Sequence, residues 1–100
     1  MDMNKMMKQA RKMQAELEKA QGEVALLVAE ASAGGGVVKV VATGDQRIQS
    51  ITIDPAVVDP EDVEMLQDLV LAATNDALIQ VSELANARLN AVTGGLNLPF

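Results

Sequence analysis

The chain has 100 residues, 49% hydrophobic and 22% charged, which makes it a single folded unit, neither a disordered polymer nor a chain long enough to split into domains. It holds no cysteine, no histidine and one aromatic residue, Phe100, so disulfides, thiolate chemistry, the usual general base, the commonest metal ligand and stacking on single-stranded bases all drop out. A net charge of −6 argues against a uniformly basic nucleic-acid binder, yet residues 1–19 carry five bases against three acids, a net of +2 that leaves −8 on the remainder.

From Met3 the apolar residues fall at Met3, Met6, Ala10, Met13, Leu17, Ala20, Val24 and Leu27, in alternating steps of three and four. This spacing predicts an amphipathic helix over about 3–24 with a heptad seam. With Met3 at the first heptad position, Lys5, Lys12 and Lys19 share the third, and Lys8 and Arg11 flank them, so the bases lie on the face opposite the seam. The seam residues Met3, Met6, Ala10, Met13 and Leu17 read as core or dimer contacts. The end of the helix stays open, because 24–33 suits a helix tail or a first strand equally; a strand from about Leu26 is favoured.

Gly34-Gly35-Gly36 and the valine-rich run behind it, Val37 to Val41, predict a tight corner between strands. Gly44 marks a second turn, and Ile48 to Ile53 a third strand that Asp54-Pro55 stops. A three-stranded antiparallel sheet over about 26–54 follows, with Val38, Val40 and Ala42 on its buried face and Ile51 and Ile53 continuing that face.

Asp59 as N-cap, Pro60 at the first helical position, acids in the first turn and a Val58–Val63 staple predict a helix over about 60–92. Its first half, with Leu66, Leu69 and Val70, is apolar on nearly every side and is expected between layers. Some 50 Å of helix cannot fold back inside a domain of this size without bending or projecting. A two-fold homodimer would cover the surplus apolar surface. Residues 93–100 read as a capped helix end and a loose tail. The fold class is α+β: helix, three-stranded antiparallel sheet, long helix, in one domain.

The triple glycine is followed by a strand, whereas a phosphate-cradling loop opens a helix, so the turn is read as structural. Strand-stop and helix-start chemistry accounts for Asp54, Asp59, Glu61 and Asp62, and no metal site or cofactor is predicted. No activity as an enzyme and no small-molecule substrate is expected. The N-terminus lacks a cleavable apolar core and no run approaches the length of a membrane span, from which a cytoplasmic location is expected. The segregated basic stripe is the strongest functional signal: on two arms of a dimer, ten bases would meet duplex phosphates.

In its whole length the chain resembles the YbaB/EbfC family of bacterial nucleoid-associated proteins. The resemblance lies in Lys5-Met6-Met7-Lys8-Gln9-Ala10 through Leu17, in Ser32-Ala33-Gly34-Gly35-Gly36 with Val38-Lys39-Val40, and in Ile53-Asp54-Pro55. It continues through Val58-Asp59-Pro60-Glu61-Asp62-Val63-Glu64-Met65-Leu66, Asn75-Asp76-Ala77-Leu78 and Thr93-Gly94-Gly95-Leu96. It implies a tweezer-shaped homodimer that binds double-stranded DNA with little sequence preference, organises the nucleoid, regulates genes and has a link to recombination and repair. It implies DNA contact through the first helix, here Lys5, Lys8, Arg11, Lys12 and Lys19, and through the end of the last. Relatives often carry several lysines there, whereas this chain has Arg88 as the only base of 79–88. The rival reading is a protein-interaction module that docks a partner helix on the methionine-rich seam.

Overall fold

Asp2 opens the fold: its carboxylate accepts a hydrogen bond from the Asn4 N–H at 3.0 Å and caps α1, Met3–Ala25. This computed structural model describes residues 2–93. After α1 come β1, Val28–Ala33, β2, Val38–Thr43, and β3, Ile48–Ile53, then a 3₁₀ turn at Pro55–Val57 and α2, Val63–Thr93. The first strand starts two residues later than expected, because Leu26 and Leu27 turn back onto the last carbonyls of α1.

The sheet is antiparallel with β2 in the centre, β1 on one edge and β3 on the other. Gly34, Gly35 and Gly36 all have positive φ, at 66°, 74° and 96°, the backbone that the β1–β2 corner demands and that glycine adopts without a Cβ penalty. Asp54 ends β3 as expected, its carboxylate accepting from the Ala56 N–H at 2.9 Å.

One face of the sheet carries Ala29, Ala31, Val38, Val40 and Ala42, all buried, and α2 meets it with Ala73, Ala77 and Val81. Residues four apart share a helix face, and because nearly all are small the helix lies close on the strands. Leu69 sits beside Gly34 at the start of the crossing, and Ser82 Oγ accepts from Gln46 Nε2 at 2.9 Å near its end. Beyond the sheet α2 continues alongside the C-terminal half of α1, so the long helix projects. The molecule measures 71 × 23 × 16 Å with a radius of gyration of 19.7 Å, against about 13 Å for a compact chain of this length.

Two expectations need correction. The cap of α2 is Asp62, whose Oδ1 accepts from the Met65 N–H at 3.3 Å, and the helix starts at Val63, three residues later than Pro60 suggests. Asp59 instead accepts from the Glu61 N–H at 2.9 Å and closes a turn with Asp62 N–H at 3.0 Å, Pro60 filling the second turn position that suits its fixed φ. Val58 and Val63 are accordingly both exposed and form no buried staple. The second correction concerns Ile51 and Ile53. They do share the face of Val40 and Val38, their partners in register, and Ile53 packs against the core as expected, but Ile51 is 47% exposed because α2 lies across β1 and β2 and leaves most of β3 uncovered. Of the tail expected over 93–100, Thr93 belongs to α2 and the rest lies outside the described residues.

Candidate nucleic-acid interface

The first helix divides at Leu17. From there to Val24 its seam packs against α2, with Ala20 fully buried and Leu17 and Val24 half-buried. From Met3 to Glu16 every residue is exposed, so about 20 Å of helix stands free of the body. Lys5, Lys8, Arg11 and Lys12 lie on this free arm and Lys19 near its root. All five are exposed, and none has an ion-pair partner among the described residues. The seam residues Met3, Met6, Ala10 and Met13 are exposed too, Met3 at 74%, and Met3, Met6, Met7 and Ala10 line a shallow groove of about 300 Å³. In the single chain they are not core.

At the far end of the sheet stand Asp54, Asp59, Glu61, Asp62, Glu64 and Asp68, all exposed. That end is fixed by the Asp54 N–H, which donates to the Val37 carbonyl at 2.8 Å beside the glycine turn. The arm leaves from the opposite end, where Gly44 N–H donates to the Leu27 carbonyl at 2.9 Å. Six of the acids thus stand at the end of the sheet away from the arm, where salt screens them from a polyanion held more than about 8–10 Å off, while Asp2, Glu16 and Glu18 share the arm with its bases.

Arg88 is placed differently from the other bases. It lies on α2 against α1, where its Nε donates to Glu23 Oε2 at 2.7 Å and its terminal amino group forms an ion pair with the same oxygen. Sequence reasoning did not find Glu23 as a partner, since 65 positions separate the two; the only local signal is an acid on the flank of the heptad seam.

A second surface lies between α2 and the uncovered edge. Ile53, Leu66, Gln67, Val70, Leu71 and Thr74 line a groove of about 450 Å³, almost entirely apolar. Leu66, Leu69 and Val70 are half-buried and Leu71 is 60% exposed, so the first half of α2 is covered on one side only. Ile48 joins the patch, because a bulge at the register shift between Val41 and Ala42 pairs Ile48 with Ala42 and returns it to the face of Ile51. This surface corrects the expectation that 66–73 lies between layers: only its Leu66, Leu69, Val70 and Ala73 side meets the sheet, and Gln67, Asp68, Leu71 and Ala72 stay exposed. Among the described residues there is no cluster of metal-ligating side chains, and no helix is long and apolar enough to cross a membrane.

Residues 1–96 match the sequence profile of the YbaB/EbfC DNA-binding family. A protein named nucleoid-associated protein from Ruminiclostridium cellulolyticum is 55% identical over 95 residues, which cover 95% of this chain and 83% of the relative. Another of that name, from Desulforamulus reducens, is 57% identical over 98 residues, covering 98% of this chain and 93% of the relative. The crystal structure of the uncharacterized protein HP0035 from Helicobacter pylori superposes with a TM-score of 0.73 at 25% identity, covering 97% of this chain and 99% of that one.

Proposed function

The chain belongs to the YbaB/EbfC DNA-binding family, a family of nucleoid-associated proteins and not of enzymes, and on that premise we propose that it binds double-stranded DNA as a homodimer, with little sequence preference, through its N-terminal helices. The observation that carries this reading is the free arm: Lys5, Lys8, Arg11 and Lys12 face solvent, unpaired among the described residues, on about 20 Å of exposed helix. Such bases gain by displacing counterions from a duplex and read no sequence in doing so. With no internal aromatic residue the arm has nothing to stack on single-stranded bases.

The homodimer is supported by the apolar groove beside β3. A monomer does not ordinarily leave Ile48, Ile51 and Leu71 exposed around an apolar groove lined by Leu66 and Val70, and a two-fold operation would cover that surface with its own copy. Two arms on one body suit holding or bridging duplexes, hence nucleoid organisation and an influence on transcription; the link to recombination and repair rests on the family resemblance alone. A cytoplasmic, nucleoid-bound location belongs to this same reading.

The test is fluorescence anisotropy of a random-sequence duplex across a salt series, for the native chain and for the chain with Lys5, Lys8, Arg11 and Lys12 changed to alanine. Log affinity should fall with log salt by about 0.9 per phosphate neutralised, and the slope should shrink in the variant. Absence of binding by the native chain at low salt would refute the proposal. The exposed groove of Met3, Met6, Met7 and Ala10 favours a second reading, a docking strip for a partner helix. In that case Met6→Asp abolishes capture of a stoichiometric protein partner while charge reversal at Lys8 does not.

A further inference from the structure

Arg88 presents a puzzle that the proposed function does not resolve. It is the only base of the final helix beyond the sheet, yet it is turned onto Glu23 of α1 by two nitrogen contacts to one carboxylate oxygen, and both side chains are 39% exposed. An arginine offered to DNA has no need of this carboxylate, and a phosphate would have to displace it.

The footing of the arm explains the arrangement. Between Leu17 and Val24 the helix rests on α2 through about two turns, and the residue at its centre, Ala20, allows close approach but offers only a methyl group to resist tilting. One ion pair joins α1 to α2 among the described residues, and it stands at the root of the lever, two residues before α1 ends. Lys5 is eighteen residues away, about 27 Å along the helix, so a tilt of about 10° at Glu23 displaces it by about 5 Å, more than the reach of a direct phosphate contact.

We propose that Arg88 is a positioning residue: paired with Glu23, it sets the angle at which the basic arm leaves the body, and it does not itself contact DNA. The proposal rests on the arm-binding reading above. It reverses the sign expected for Glu23: as a mere competitor for a DNA-binding arginine, Glu23 would weaken binding, whereas as half of a brace it strengthens it.

The experiment uses the absence of cysteine, which permits clean spin labelling at two introduced sites, Gln9→Cys on the arm and Ser32→Cys on the outer face of β1. The label-to-label distance distribution is measured by double electron–electron resonance in labelled chain diluted with unlabelled chain. The same backbone carries Glu23→Gln, Arg88→Gln or the exchange of Glu23→Arg with Arg88→Glu. Because the pair is half exposed, all variants should fold, which far-UV circular dichroism checks. The distribution should broaden in both single variants and narrow again in the exchange. Duplex affinity at low salt should fall by the same few-fold factor in both singles and recover in the exchange. Unchanged distances in the single variants would overturn the proposal. So would tighter binding by Glu23→Gln alongside a loss of about 0.9 in salt slope for Arg88→Gln, the pattern of a direct phosphate contact. If the native chain binds no duplex, the functional reading fails, and the distance distributions still decide whether the pair braces the arm.

Discussion

Gly44 holds the root of the arm in a way no other residue can. Its N–H bonds the Leu27 carbonyl, and a Cβ built on it would stand 1.7 Å from the carbonyl oxygen of Val24. That neighbour is backbone, so it cannot rotate aside; α1 itself would have to move off the sheet. Gly35 offers a control, since it has a positive φ of 74° but open space where a Cβ would sit. Gly44→Ala should therefore cost about 3 kcal/mol, the upper range of overpacking, and Gly35→Ala about 1–2 kcal/mol, the cost of left-handed backbone alone. Urea unfolding of the two variants checks the order; equal losses would mean that the contact at Gly44 relaxes without consequence.

Among the elements, the strands and α1 were legible because their signals are local. A β-branched run behind three glycines and a three-four apolar rhythm need no knowledge of neighbours. The start of α2 was misplaced because Asp-Pro serves two geometries: proline suits the first position of a helix and the second position of a turn equally, and the choice is settled by Asp62, which also offers a capping oxygen. Removal of the cap therefore separates the two aspartates. Asp62→Ala should lower stability by about 1 kcal/mol, whereas Asp59→Ala, which releases only a turn, should cost a few tenths, both read from chemical denaturation. Alternation likewise told which face Ile51 and Ile53 occupy but not whether anything covers it, because that depends on where α2 crosses the sheet. The bases of α1 were readable as a stripe; that Arg88 lies apart from them, against Glu23, required the two helices to be brought together.

At the scale of the whole molecule, 71 Å of length carries a net-basic arm at one end, six acids at the far end of the sheet and an apolar flank that a second copy would cover. The proposed dimer uses the groove of Ile53, Leu66, Val70 and Leu71 as its interface and thereby sets two arms on one body. Leu71 is the residue on which to test this, since at 60% exposure it contributes little to the fold of a single chain. Leu71→Asp should sediment as a monomer with unchanged helix content, and the native chain should sediment as a dimer, because a carboxylate in a self-complementary patch meets its own copy and is desolvated there. The consequence for DNA separates two ways of using the arms. If both arms of a dimer grip one duplex, the salt slope of the monomeric variant should fall to about half the native value, and its affinity should drop far more than a single lost contact explains, since the second arm no longer binds at high effective concentration. If each arm instead holds a separate duplex, the slope per duplex should be the same for monomer and dimer, and only the native protein should draw two differently labelled duplexes into one complex.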